Sequence, residues 1–275
     1  MSPTADGTID HHAPRTPVST DAEARAERDR RAYDEDRVWE RSHAWHVRVI
    51  HVMTSPNTSR HEETFRGLLA DAVGHGGRGL DIGCGDGRTT RGLIDLGASY
   101  ALGIDVSETE IAKARQLATP DEVEFRLGGV QDEIEGRFDL IFGRSILHHI
   151  DFREVLPRLA TNNLAPDGRM VFMEPLSHPL TLAFHKIVRS AHTEDERPLT
   201  REDLTWMQAT FPGFELVAVN LTSFATGIVS SFVSRNPDNK VMQLSDRLDE
   251  WLARRSPRLR QFYRQGIISL SSRPS

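Results

Sequence analysis

The sequence predicts an α/β chain: a doubly wound, mostly parallel seven-stranded sheet, with an N-terminal helical cover and helical insertions after the fifth and sixth strands. Three observations carry this expectation. Between Gly79 and Glu174 short apolar runs alternate with segments of helical period, the pattern of βαβ units. The first run opens into RGLDIGCGDGRTTRG, residues 78–92, at the sheet edge where open α/β folds bind ligands. After Glu174 the alternation gives way to longer helical segments separated by single strand-like runs. Right-handed crossovers between parallel strands then leave few topologies.

Composition bounds the rest. The 275 residues are 38% hydrophobic and 27% charged, which suits one full α/β domain with additions. The formal net charge of −6 lacks the basic footprint that a phosphate backbone requires, so no nucleic-acid partner is expected. The one cysteine, Cys84, allows no intrachain disulfide and fits a reducing compartment. The polar N-terminus has no apolar signal core, and no run reaches the roughly 18 apolar residues of a membrane span. A cytoplasmic protein with no membrane partner and a disordered segment over residues 1–20 is expected.

The elements follow in order. Residues 21–76 read as a helical cover. Its first helix, Asp21–Ser42, is capped by Ser19, Thr20 or Asp21 and carries few apolar residues besides Tyr33, Val38 and Trp39, so it lies over something else. A second helix carries Phe65, Leu68, Leu69, Ala72 and Val73 on one face and ends at the following glycines. Strands are expected at Gly79–Ile82, Tyr100–Ile104, Val123–Leu127, Phe138–Phe142 and Met170–Glu174, with helices near Arg88–Leu96, Glu108–Leu117 and Phe152–Asn163. Two insertions, about 176–210 and 225–264, flank a strand in FELVAVNLT. The second insertion reads as one long helix from about Ile228 to Tyr263, with Val241, Leu244, Leu248 and Trp251 on one face and a break at Pro257. QGIISLSSRPS supplies the last strand.

The glycine loop is the chemical signal. Gly83 and Gly85 fit a dinucleotide fingerprint, but its third glycine position holds Arg88, and Gly87 comes one residue early. Asp81, two residues before the turn, is a poor neighbour for a pyrophosphate and a good one for an amine. LDIGCGDG resembles the first motif of class I S-adenosylmethionine-dependent methyltransferases, of the small-molecule, ubiquinone/menaquinone-like and natural-product type. The resemblance implies a Rossmann-like methyltransferase domain over 77–275 and S-adenosyl-L-methionine as cofactor. It also implies that Asp81 orients the cofactor's amino group while Gly83, Cys84 and Gly85 cradle its amino-acid part. GIDVS, residues 103–107, is similar to the second motif: Asp105, 22 residues past Gly83, faces the ribose hydroxyls, beside Val106. FDLIFGRSILHHI resembles the fourth strand and its loop, with Gly143 and Arg144 at the methionine end. LAPDGRMVFMEP resembles the turn into the fifth strand. One departure stands out: RLGGVQDE carries Gly129 where the family often has an acid for the adenine amino group, which leaves Gly129, Val130 and Gln131 as the adenine contacts. RAYDEDRVW resembles the family's cofactor-covering helix and adds Tyr33. That helix either closes over the cofactor or packs against a second subunit in a homo-oligomer.

The acceptor side is less marked. His148, His149, Glu174 and His178 are the candidates for proton transfer; the bland alternative for the histidine pair is packing beneath the cofactor. His185, His192, Glu194, Asp195 and Glu196 also lie in the expected lid. His43, His46 and His51 cluster in sequence, but no metal site is expected. LTLAFHKIV and SFATGIVSSFV would line an apolar pocket through Phe184, Ile187, Phe224 and Phe232. The expected function is methyl transfer to a small, lipophilic acceptor of secondary metabolism, such as a terpenoid, quinone, polyketide or alkaloid. Two further readings stay open: a cofactor-binding protein without transfer (a binding module or cofactor-assisted cyclase), and methylation coupled to cyclisation. A nucleic-acid methyltransferase is opposed by the acidic balance, and a dehydrogenase by Asp81 and Arg88.

Overall fold

The computed structural model describes residues 24, 27, 28, 30, 51, 54–178 and 197–271. Tyr33, His43, His46, Phe184, His185, Ile187, His192, Glu194, Asp195 and Glu196 lie outside the described residues, as does most of the helix expected over 21–42.

Helix α1 (Pro56–Val73) starts at Ser55, whose side chain accepts from the Thr58 amide, and ends at Gly74. It begins earlier than the apolar period alone indicates, because Pro56 is preorganised for the first helical turn. Then follow β1 (Arg78–Ile82), α2 (Arg88–Asp95), β2 (Tyr100–Asp105), α3 (Glu108–Ala114), β3 (Val123–Leu127) and β4 (Phe138–Arg144). After these come α4 (Phe152–Asn162), β5 (Leu164–Pro175), α5 (Arg201–Thr210), β6 (Glu215–Val219), α6 (Thr222–Val233), α7 (Lys240–Arg255) and β7 (Gln265–Leu270).

The expected seven-stranded, mostly parallel sheet is what the chain forms. Its order is β3-β2-β1-β4-β5-β7-β6. Only β7 runs against its neighbours, antiparallel to both β5 and β6. The strand order reverses between β1 and β4, which opens a crevice at their carboxyl ends.

Strand residues alternate between two cores, as the pleat dictates. Met170 and Phe172 join Leu80, Ile82, Leu156, Leu159 and Met207 on one side. Val171 and Met173 join Phe65, Leu69, Val73 and Leu93 on the other. Helix α1, which falls within the expected 21–76 cover, thus packs directly on the sheet.

The single long helix expected over Ile228–Tyr263 is corrected. Two helices, α6 and α7, form a hairpin, followed by a 3₁₀ turn over Pro257–Phe262. The break lies at 234–239, where Pro237 cannot continue a helix and Asn239 caps α7 by accepting from the Val241 and Met242 amides. The apolar face expected on this helix exists, but Val241, Leu244, Leu248 and Trp251 are turned to solvent. Phe232, expected in the pocket lining, is likewise exposed.

Candidate active site

The β1–α2 loop takes left-handed backbone at Gly83 (φ 71°), Gly85 (φ 52°) and Gly87 (φ 78°), a conformation that side chains disfavour. The three glycines differ in purpose. A Cβ on Gly87 would lie 2.6 Å from the Phe125 ring and 2.8 Å from Ala114, so this glycine lets the loop sit down on α3 and β3. Around Gly85 the nearest atom is a Glu110 carboxylate oxygen 4.0 Å away, so this residue borders open space.

The loop's amides are largely spent within the protein. Gly83 and Cys84 both donate to the Ile104 carbonyl, at 2.8 and 3.0 Å, and Gly87 donates to the Cys84 carbonyl. Gly85 donates to Asp105 Oδ2 at 2.8 Å. Arg88, at the start of α2, donates to Asp86 Oδ1 at 3.3 Å. Such a loop is no anion nest. Its ionisable groups are carboxylates instead. Asp81 is buried and accepts from Thr90 Oγ1 at 2.7 Å. Burial, together with the nearby Asp105 charge, raises its pKa from 3.8 to about 7. Asp105 also accepts from the Ser107 amide at 2.9 Å, and burial raises its pKa as well. Ser107 caps α3, which fixes Val106 between the two. Cys84 is buried against Gly103, and its thiol is pushed far up by burial and by Asp81 and Asp105. It packs and does not ionise.

The third loop is tied to the second through its backbone, since Gly128 donates to the Asp105 carbonyl at 2.9 Å. Asp132 accepts from the Gly129 amide at 2.7 Å, and Arg158 donates to the Val130 carbonyl. The Val130 side chain is buried in the core. The Gln131 side chain folds back over Gly129, so Gln131 and Asp132 both line this turn. Asp132 was missed by sequence reasoning, although its position in GGVQDE marks an acid able to cap the turn.

β4 ends in the crevice. A Cβ on Gly143 would lie 2.6 Å from Ile146 and 2.7 Å from the Ile82 carbonyl, and Gly83 abuts the same Ile146 side chain. Gly83 and Gly143 therefore share one packing partner. Arg144 forms a bidentate pair with Glu62 of α1, at 2.9 and 2.5 Å. Its neighbour Ser145 adopts φ 54°, a strained backbone of the kind found at functional sites. No glycine marked it in the sequence.

Glu174 organises this turn. It is fully buried, and its Oε1 accepts from the Ile146 and Leu147 amides at 2.8 and 2.9 Å. Its Oε2 lies 2.7 Å from His148 Nδ1. A carboxylate only accepts, so Nδ1 carries the proton; when the ring is neutral, the lone pair is on Nε2. His149 stacks at a tilt against His148, with ring centroids 4.2 Å apart. Three of the four proton-transfer candidates thus meet in one cluster.

His178 belongs to a neighbouring group. Its Nε2 lies 3.1 Å from the Leu221 carbonyl, its ring meets Phe224 edge-on at 4.9 Å, and burial lowers its pKa. Arg264 also sits over the Phe224 ring, at 5.6 Å; burial lowers its pKa to about 10. His61 on α1, also missed, is buried, and burial takes its pKa down to about 4. Nothing in the helical pattern distinguished it from a solvated residue. No group of three or more His, Cys, Asp and Glu able to hold a metal occurs among the described residues.

Comparison with known proteins bears on this geometry. Residues 74–215 match the family described as methyltransferase domain. A ubiquinone biosynthesis O-methyltransferase of Neisseria meningitidis serogroup C is 28% identical over 123 residues, covering 42% of this chain and 51% of the relative. An O-antigen chain terminator bifunctional methyltransferase/kinase of Escherichia coli is 37% identical over 106 residues, covering 34% of this chain and 15% of that protein. The chain thus matches about half the length, or less, of these curated relatives. Among solved structures, geranyl diphosphate C-methyltransferase of Streptomyces coelicolor A3(2) superposes with a TM-score of 0.54 at 14% identity, covering 78% of this chain and 81% of that one. That is a likeness of fold.

Proposed function

This chain belongs to the methyltransferase-domain family, and from that premise we propose that it transfers a methyl group from S-adenosyl-L-methionine to a small, lipophilic acceptor. The observation that carries the reading is the charge of the glycine loop. Its amides are largely engaged internally, and two carboxylates, buried Asp81 and half-buried Asp105, lie beneath it. This donor set fits a cation with a vicinal diol and opposes a pyrophosphate. Asp81, Gly83, Cys84 and Gly85 would hold the amino-acid end, Asp105 and Val106 the ribose, and Gly129, Val130 and Gln131 the adenine. Gly143, Arg144 and Tyr33 would close the methionine end. Arg30, from the expected covering helix, lies 3.9 Å from Glu108 in the first turn of α3, which supports a cover near the ribose acid.

When bound, S-adenosyl-L-methionine supplies an electrophilic methyl group on a sulfonium. The protein's task is then to hold the acceptor in line at about 3 Å and exclude water. In this reading the turn fixed by Glu174 would present His148 and His149 to the acceptor, with Phe224 and His178 as an aromatic wall beside it. Where the acceptor must lose a proton, His148 Nε2 is the base that Glu174 orients. Where the nucleophile is an alkene or a free amine, the same groups need only position it. The single buried cysteine suits a reducing compartment, and we read the protein as cytoplasmic.

The test is product mass after incubation with methyl-labelled S-adenosyl-L-methionine and a panel of terpenoid, quinone and polyketide acceptors bearing hydroxyl, alkene or amine groups. Labelled product together with S-adenosylhomocysteine supports transfer. A rearranged, unlabelled product with the cofactor unconsumed would establish a cofactor-assisted cyclase instead, and a labelled, cyclised product would couple the two.

A further inference from the structure

Helix α7 faces the opposite way from an ordinary surface helix. Its carboxylates point inward. Asp249 accepts from the Leu221, Thr222 and Ser223 amides and from the Thr222 and Ser223 hydroxyls, capping α6. Asp246 accepts from the Asn57 amide at the start of α1. Its apolar row points outward: Val241, Leu244, Leu248 and Trp251 are 64, 69, 43 and 55% exposed. The other arm of the hairpin, α6, adds exposed Val229, Phe232 and Val233 near its tip. Lys240, Arg247 and Arg254 recur every seven residues along one flank of α7, and all three are exposed. Between 234 and 255 the exposed acid is Asp238, while half-buried Glu250 is paired with Arg60 and Arg254.

We propose that this hairpin face docks on an anionic phospholipid bilayer, with α7 lying in the interfacial plane. An outward apolar row that includes a tryptophan, a basic flank and inward carboxylates are the features of an interfacial helix. A second copy is disfavoured as occupant, because a symmetric dimer would bring two basic flanks together with their acids buried elsewhere. The rest of the chain carries the excess of acid behind the net charge of −6, so the basic flank of α7 stands out as a place where an anionic surface would engage. No helix among the described residues is long and apolar enough to cross a membrane, which leaves docking as the mode. The expectation of no membrane partner rests on the lack of a long apolar run, a criterion that does not detect a helix lying in the interface. α6 runs from this face to Phe224, which packs against His178, so the docked hairpin stands between the bilayer and the acceptor side. That last link rests on the proposed acceptor class; the docking itself does not.

The test is cosedimentation of the full chain, without cofactor or acceptor, with vesicles of phosphatidylcholine alone or mixed with phosphatidylglycerol. Binding to the mixed vesicles, weakening as salt rises, is expected. Leu244→Glu should abolish it, and each of Lys240→Gln, Arg247→Gln and Arg254→Gln should lower the partition coefficient about fivefold. Unchanged thermal melting would show that these surface variants still fold. The proposal is overturned by no sedimentation with either vesicle, by equal binding to both, or by wild-type binding of Leu244→Glu. A concentration-dependent dimer that Leu244→Glu dissolves, with no vesicle binding, would assign the face to a second copy and overturn it too.

Discussion

Replacing Asp81 by Asn should make the empty protein more stable at alkaline pH while weakening its hold on the cofactor. Asp81 is buried, and its pKa rises from 3.8 to about 7 mainly through burial. A carboxyl whose folded pKa is raised contributes its stability fully below the unfolded pKa and loses it as pH climbs through the folded one. The window runs from about pH 4 to about pH 7. Across it the folded wild type loses about 4 kcal/mol that an asparagine would not lose. Asn keeps an acceptor for the Thr90 hydroxyl, which lies 2.7 Å from Asp81, so packing is conserved. Urea denaturation of both proteins at pH 5 and pH 8 reads the effect. The advantage of Asp81→Asn should widen by roughly 2–3 kcal/mol between the two pH values. Binding should move the other way: at pH 8 the variant should bind S-adenosyl-L-methionine at least about tenfold more weakly, about 1.4 kcal/mol. A gap that is the same at both pH values, or a wild type more stable than the variant at pH 8, would refute the reasoning.

Four substitutions at three positions test the surrounding geometry. Gly87→Ala meets Phe125 and Ala114 with φ at 78° and should cost about 2–5 kcal/mol by denaturation, whereas Gly92→Ala, with nothing within 4 Å, should gain up to about 1 kcal/mol. Glu174→Ala strands two buried amides and His148 and should cost about 2–5 kcal/mol. Glu174→Gln keeps the amide acceptor but donates to His148 Nδ1, moving the ring proton to Nε2. If His148 is the base, kcat should fall at least about 100-fold with stability changed by less than about 1 kcal/mol; unchanged kcat would leave His148 a packing role.

The sheet was legible because its strands are apolar runs punctuated by glycines, and parallel topology follows from that rhythm. The β1–α2 loop was legible because left-handed backbone demands glycine at Gly83, Gly85 and Gly87. Ser145 bends the same way without a glycine, and its turn is held by Glu174 from 27 and 28 residues away, a contact that no local pattern encodes. The hairpin is a different kind of miss. The period of Val241, Leu244, Leu248 and Trp251 was read correctly, but which face is buried depends on where Asp246 and Asp249 find donors. Those donors lie on α6 and at the start of α1, so the helix buries its polar side. The break before Asn239 is marked in the sequence by Asn-Pro-Asp-Asn, a turn signal that lies well before Pro257.

The central claim is that the carboxylate-lined glycine loop holds a sulfonium cofactor. Calorimetric titration of S-adenosylmethionine, S-adenosylhomocysteine and NAD into the full chain, with Asp105→Ala alongside, tests it most directly. Micromolar binding of the first two, lost in the variant and absent for NAD, is the predicted result. Binding of NAD instead, or of neither S-adenosyl compound, would contradict it.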